Sequence, residues 1–402
     1  MSSSVLSDPS TAFSPQEFYE RLAGTPAAPF TPEERRFALD RFFALRSGRE
    51  KPGRFWRIDF ETLAPSVTAI GSSAVEYCAQ NADSSVVVCD LATASREHPQ
   101  LLAKALGKSR VAQTKFGALA AAFAGGGTFV YIPADRASDQ PILIRYAAGA
   151  QAAMFPWTVV LAERGARATI VERVTAEAGA FICGATEIIT GDHADVTYAA
   201  VQNLEDSSRA IFSRAAAPGR DARVAVATAL LGGALSADEL VVAIEYPGSQ
   251  TTISGVFFPT GTQHVDVIST VEHSAGEASS DTLIKSAARD RGQARYLGNI
   301  RIAPHAQGSD ARLRDDALLL SPTAHVDSVP ALEIGANDVK AYHGATVGAL
   351  DAEQIFYLQS RGIEAGAAER MIALGFFEPA VERFPSASLR DEIRAALAAK
   401  LA

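Results

Sequence analysis

The strongest constraint on the fold is a run of glycines in the second half of the chain: Gly248, Gly261, Gly276, Gly292, Gly308 and Gly335. Their intervals are 13, 15, 16, 16 and 27 residues, the last about two steps of the others. Between them lie short apolar or alternating runs, such as residues 240–244 and 265–270, and similar runs at 158–161, 168–171 and 224–228 precede them. From about residue 128 to 339 few segments carry a 3.6-residue period. Regular short strands with turn glycines suit a sandwich, a barrel or a β-solenoid. A stretch of more than 200 residues favours the solenoid, which stacks rungs into one continuous core whose open ends need covering.

Helical punctuation flanks this region. Thr31-Pro32-Glu33-Glu34 reads as a capping box with proline at the first helical position, followed by an amphipathic run over 35–45. Ser14 with Glu17 is a weaker start of the same kind. Residues 56–96 are mixed, with a strand expected at 86–88. Residues 97–123 read as helix, stopped by Gly125-Gly126-Gly127. After the β region, Asp351 with Gln354 opens a helix that Gly362 ends. A second is expected over 365–374, ending near Gly375. A third, from about Ser388, carries Leu389, Ile393, Leu397 and Leu401 on one stripe. These helices either cap the β core's end or present a partner surface, and capping is the simpler expectation. The organisation is therefore an N-terminal α-rich region (1–125), a β core (126–348) and a C-terminal helical region (349–402).

At 402 residues the chain is long for one compact core. Its 37 basic and 46 acidic residues give a net charge of −9, which argues against a nucleic-acid platform. No apolar run approaches the roughly 18 residues of a membrane span. The Ser-rich N-terminus has neither the basic start nor the apolar stretch of a secretory signal. Cys78, Cys89 and Cys183 are odd in number and widely spaced, so no disulfide framework or zinc motif is expected and a cytoplasmic setting is. All three are expected to be small buried hydrophobes.

The usual enzyme motifs are missing: no GxxxxGK[ST] loop, no GxSxG elbow, no HExxH helix. Gly125-Gly126-Gly127 follows a helix and precedes a strand, the wrong order for a phosphate-cradling loop. His264 and Asp266 share one strand face. His273, nine residues on, faces the other way, and Glu272 faces away from His273. His343 stands apart, in a Gly-Ala-Thr turn where the β region meets the helical tail, with the small neighbours Gly344 and Ala345 leaving its ring open. Imidazole binds iron, zinc and copper, but one ligand does not make a site, so a second chain would have to supply the rest.

The words around His343 are specific as a block. They are His264-Val-Asp, Val271-Glu-His273, Leu318-Leu-Leu-Ser321, Leu332-Glu-Ile334, Asp338-Val-Lys340, His343-Gly-Ala-Thr-Val-Gly348, Phe356-Tyr-Leu and Ser360-Arg-Gly-Ile363. This run resembles the SufB/SufD family of iron–sulfur cluster assembly proteins, its SufD branch in particular, over roughly residues 110–385. The resemblance implies a right-handed parallel β-helix between helical termini and a non-catalytic scaffold subunit. It implies pairing with a SufB-like paralogue near His343 and docking of a SufC-like ATPase on about residues 350–380. His343 is then the candidate metal ligand, for iron or a nascent iron–sulfur cluster at the subunit interface, and no cofactor is assigned to the chain alone. The family's Lys-Cys-Ser-His is here Lys340-Ala341-Tyr342-His343, without the cysteine. Two other readings stay open. One is a carbohydrate-active β-helix enzyme using Asp310, Asp315 and Asp316; the other is a structural protein that forms homodimers.

Overall fold

The computed structural model describes residues 29–45, 69–70, 74–78 and 85–402. The helix start expected at Ser14 and Glu17 lies outside these residues. The fold is mainly β, a parallel solenoid of two sheets. One, of nine strands, includes Arg167–Ala176, Asp195–Leu204, Arg223–Gly232, Gln250–Phe257, Ser279–Ala288, Asp310–Leu319 and Lys340–Ala349. The other, of eleven, includes Pro156–Ala162, Phe181–Thr190, Arg209–Ala217, Leu235–Ile244, His264–His273, Gln293–Ile302 and His325–Ile334. Strands of the first series start 27–31 residues apart, so one turn takes that length and the glycine spacing is half a turn. The glycines mark the two corners of the rung, and the step absent between Gly308 and Gly335 falls at Ser321-Pro322-Thr323-Ala324.

The corner ladder explains why the period shows only late in the sequence. Asp135, Gly165, His193, Asp221, Gly248, Glu277 and Gly308 all have positive φ, between 53° and 75°. Each donates its backbone N–H to a carbonyl of the following turn at 2.7–3.1 Å. Glycine takes this left-handed backbone without strain, whereas the aspartates, His193 and Glu277 bear a cost. The repeat therefore extends back to residue 135, hidden by side chains.

The helices pack on the outer faces. Four N-terminal ones, α1 (Pro32–Ala44), α2 (Leu91–Glu97), α3 (Pro99–Ala105) and α4 (Lys115–Phe123), bury Leu39, Phe42, Leu91, Phe116 and Leu119 in one cluster with Trp157, Phe181 and Ile211 of the eleven-stranded sheet. The Thr31–Glu34 capping box opens α1 as expected. The single helix expected over 97–123 is broken. A left-handed Gly107 follows α3, a 3-10 turn spans Val111–Gln113, and Thr114 caps α4 afresh. Gly127 does more than stop a helix: a Cβ there would lie 1.9 Å from the carbonyl oxygen of Trp157, so only glycine lets the first solenoid strand approach.

At the other terminus come α5 (Ala352–Ser360), α6 (Ala365–Val381) and α7 (Ala387–Leu401). Asp351 caps α5 through the Glu353 N–H, not through a box with Gln354, and Gly362 is left-handed just beyond. Helix α6 continues through Gly375, where a stop was expected, and contains Pro379. Its buried face of Ala373, Phe377, Ala380 and Val381 holds it against the sheet, so packing overrides the local breakers. Leu389, Ile393, Leu397 and Leu401 form the expected stripe on α7. The expectation that these helices cap the solenoid is wrong. Helices α6 and α7 cluster with Val171, Val201, Leu231, Val256 and Leu283 on the outer face of the nine-stranded sheet. A fully buried Leu or Ile stabilises by about 1.5–3 kcal/mol, so this broad face outweighs what the narrow solenoid end offers. Cys89 and Cys183 are buried as expected, but Cys78 is exposed. Among the described residues no helix is long and apolar enough to cross a membrane.

Candidate functional site

Both sheets finish on a bare strand. His325–Ile334 pairs inward with Gln293–Ile302, and Lys340–Ala349 with Asp310–Leu319; no described strand pairs with either outer edge. Val329, Ile334, Tyr342 and Val347 are exposed at this end. A row of unpaired N–H and C=O groups beside apolar side chains is a template for another chain.

His343 lies within the last strand, not in the turn its Gly-Ala-Thr neighbours suggested. In register it sits over Leu313, which stacks on Thr282, Ile253 and Val226 in successive rungs. Those four are buried and face the solenoid's interior. His343 occupies the same inward series and is exposed because no described strand stacks above it. Gly344 makes room for Tyr342: a Cβ there would lie 2.5 Å from the Tyr342 hydroxyl.

Asp315 lies one rung below, in the neighbouring inward column under Ala345. The Ser328 hydroxyl donates to Oδ2, while Oδ1 has no hydrogen-bond partner. Burial, aided by the charge of Asp316, pushes its carboxyl up to about 7. Asp316 turns to the opposite face. Burial opposes its ionisation, but donation from Lys285 (2.7 Å) and Thr346, with Arg314 close by, holds it below the usual carboxylate range. Asp310 is paired with Arg312 at the surface. The three carboxyls raised for a carbohydrate enzyme thus do not converge on one groove.

The other sequence candidates are dispersed too. Asp266 is buried against Arg295 at 3.2 Å. His273, at the far end of the same unbroken strand, faces inward and bonds Ser280 at 2.9 Å, with burial pushing its imidazole down to about 4. Glu272 faces outward to Arg110 and Arg301. Burial, then the charges of Asp90 and Glu97, pushes the Cys89 thiol up to about 11, and burial raises Cys183 further, so neither offers a thiolate. Among the described residues no three His, Cys, Asp or Glu side chains are grouped to hold a metal.

A chain of side chains joins the last rung to the C-terminal helices, and sequence reading missed it. Thr346 donates to Asp316, Lys285 pairs with Asp316, and the Lys285 ammonium sits 4.4 Å from the centre of the Phe376 ring on α6. The only sequence signal was a lysine directly after the apolar pair Leu283-Ile284 of its strand. Beside it, Leu318, Ala349, Leu350, Ile372, Gly375 and Phe376 help line a half-open cavity of about 500 Å³. Helix α5 buries none of its residues, and Phe356 (71% exposed) and Tyr357 stand on it.

Comparison with known proteins gives the family. Residues 66–144 match the SufBD protein N-terminal region, and 145–376 match the SufBD core domain of the SUF system for FeS cluster assembly. The iron-sulfur cluster assembly protein SufD of Bacillus subtilis is 31% identical over 319 residues, 77% of this chain and 73% of that protein. Its Escherichia coli namesake is 36% identical over 172 residues, 43% of this chain and 41% of that protein. A SufBD family protein of Staphylococcus saprophyticus is 26% identical over 308 residues, covering 75% and 66%. The latter two alignments span less than two thirds of those relatives. The paired domain matches and the likeness to SufD over most of the chain settle the assignment: this chain belongs to the SufB/SufD family of iron–sulfur cluster assembly proteins and is SufD-like.

Proposed function

We propose that this chain is a non-catalytic, cytoplasmic scaffold subunit that pairs through its last rung with a SufB-like paralogue. The three-part division at residues 125 and 348 belongs to the same reading. The observation that carries it is the open rung, where two unpaired strand edges present His343 in the inward column over the end of the bore. Paired edges complete backbone hydrogen bonds that water otherwise satisfies, and apolar Tyr342 and Val347 leave solvent. His343 supplies one imidazole to iron or a nascent cluster, the cargo of the complex. The paralogue supplies the remaining ligands, since this chain groups no others there among its described residues. The exposed face of α5 with α6 takes a SufC-like ATPase. Movement of these helices reaches the pairing edge through Phe376, Lys285, Asp316 and Thr346.

Two measurements test this. The solution mass of the chain, expressed alone and with its genome's SufB-like and SufC-like proteins, is expected to reveal one assembly containing all three. A homodimer that ignores both partners sinks the reading. Iron titration of the complex with His343→Ala is expected to lose a site and lower cluster yield. Unchanged binding and yield remove His343 from the role.

A further inference from the structure

Midway along the solenoid, far from the open rung, the interior is polar where a dry core is the norm. Glu172 and Gln202 project inward from the nine-stranded sheet, and Arg214 and Asp238 from the eleven-stranded one; none of the four is more than 2% exposed. The register brings them together. Tyr146 bonds across the bore to Thr128 and Thr158, and the same columns, advanced two turns, carry Gln202 facing Thr186 and Arg214. Glu172 accepts from Thr158 at 2.7 Å through Oε2 alone.

The charges here do not close on one another. Arg214 Nη2 is 3.8 Å from Glu172 Oε1, and its Nε is 3.5 Å from Asp238 Oδ2. Direct charge-assisted bonds are about 2.7–2.9 Å. The guanidinium instead rests on the Phe212 ring, 4.4 Å from its centre. As a result all three guanidinium nitrogens, both ends of the Gln202 amide, Glu172 Oε1 and Asp238 Oδ2 have no hydrogen-bond partner among the described residues. Burying that many unpaired polar atoms in one place is too costly to be the resting state of a stable core, and each group calls for a partner.

We infer that this stretch of the bore is a closed hydration site, in which bound water bridges Arg214 to Glu172, Asp238 and Gln202. The chemistry of the walls selects water. An anion would face Glu172 and Asp238, a cation would face Arg214, and only a small neutral molecule that both donates and accepts satisfies every atom. About two or three waters, each making 2–4 hydrogen bonds, suffice. Burial also raises Asp238 above the usual carboxylate range in spite of Arg214. This inference is independent of the pairing proposed above.

The direct test is a crystal structure of the full chain at a resolution that resolves solvent. Density within hydrogen-bond distance of both Arg214 and Gln202 is expected. A dry chamber, with the guanidinium bonded directly to either carboxylate, overturns the inference. In solution, water-oxygen magnetic relaxation dispersion counts long-lived internal waters. Gln202→Leu, which keeps size but removes both polar atoms, is expected to lower that count by at least one. If the folded variant keeps the full count, the site is wrong. If it does not fold, the wild-type crystal structure decides.

Discussion

The two ends of the solenoid are built on opposite principles. At the first rungs, the strand Gly126–Ile132 pairs antiparallel with Val87–Asp90, and Ile142–Ala148 pairs antiparallel with Ala74–Cys78, so incoming chain covers both edges. Every residue of Pro156–Ala162 is buried. Glu187 fastens α3 and the turn after it to the sheet, accepting from the backbone N–H groups of Gly107 and Ser109, the Ser109 hydroxyl and the indole of Trp157 at 2.7–3.2 Å. At the last rung most of Lys340–Ala349 is exposed and its edge is unpaired by any described strand. Edge strands left bare invite aggregation unless they serve a partner. The difference teaches that the chain itself finishes one end, whereas the other keeps edges free for the pairing proposed above.

The sharpest way to break this comparison is to alter both ends and ask what each loses. Val329→Lys with Val347→Lys on the open rung is expected to weaken pairing with the paralogue by about 100-fold or more, read as affinity from solution mass. Exposed sites away from special features change stability by only about 0.5 kcal/mol, so the chain's own denaturation midpoint should hardly move. Pairing that survives, or a collapse of the isolated chain, removes the distinction. At the closed end Glu187→Ala should do the reverse. It orphans Trp157 Nε1 and two backbone N–H groups, at a cost of about 3–5 kcal/mol in denaturant unfolding, while pairing of the folded fraction persists.

Much of this contrast was legible in the residues. The half-turn glycines revealed a repeat, and the words around His343 carried the family resemblance. What stayed hidden depended on distance across the fold. His343 looked like a turn residue because Gly344 and Thr346 favour turns; strand pairing with Leu313 overrides that preference. Gly375 looked like a helix stop, yet Ala373 and Phe377 on either side are held in the core. The positive-φ corners at His193, Asp221 and Glu277 left no glycine to read. No spacing rule announces that Lys285 and Thr346, 61 residues apart in the chain, meet on one carboxylate. Such contacts follow from the turn length, which sequence fixes only loosely.

A smaller effect is a pH dependence set by two buried groups in the half of the solenoid that leads to the open rung. Asp315, under the open rung, is raised from 3.8 to about 7, so between about 4 and 7 the folded state binds more protons than the unfolded chain. Its contribution to stability is therefore present at low pH and lost as pH rises through that window. His273 works the other way: lowered from 6.5 to about 4, it makes stability fall as pH drops from about 6.5 to 4. Asp315→Asn should remove the first dependence and leave the second, so the variant gains relative to wild type as pH rises from 4 to 7. The expected change is on the order of 2 kcal/mol, measured as unfolding free energy across that range. A parallel displacement of the two profiles, with no change in slope, means Asp315 does not titrate there.

The smallest effect concerns the corners, which are common to both ends and should not distinguish them. Glu277 holds φ at 55° in the series where Gly165, Gly248 and Gly308 take the same backbone freely. A non-glycine residue bears about 1–2 kcal/mol in that conformation, and glycine gives part of it back through the entropy of the unfolded chain. Glu277→Gly should therefore stabilise by about 0.5–1 kcal/mol, visible as a rise in Tm, and leave pairing untouched. The backbone bond from residue 277 to the Gln307 carbonyl is kept, since glycine retains the N–H. If Glu277→Gly destabilises instead, the glutamate side chain packed beside Gly308 matters more than the backbone strain. The corner ladder would then be held together by side chains as much as by its left-handed turns.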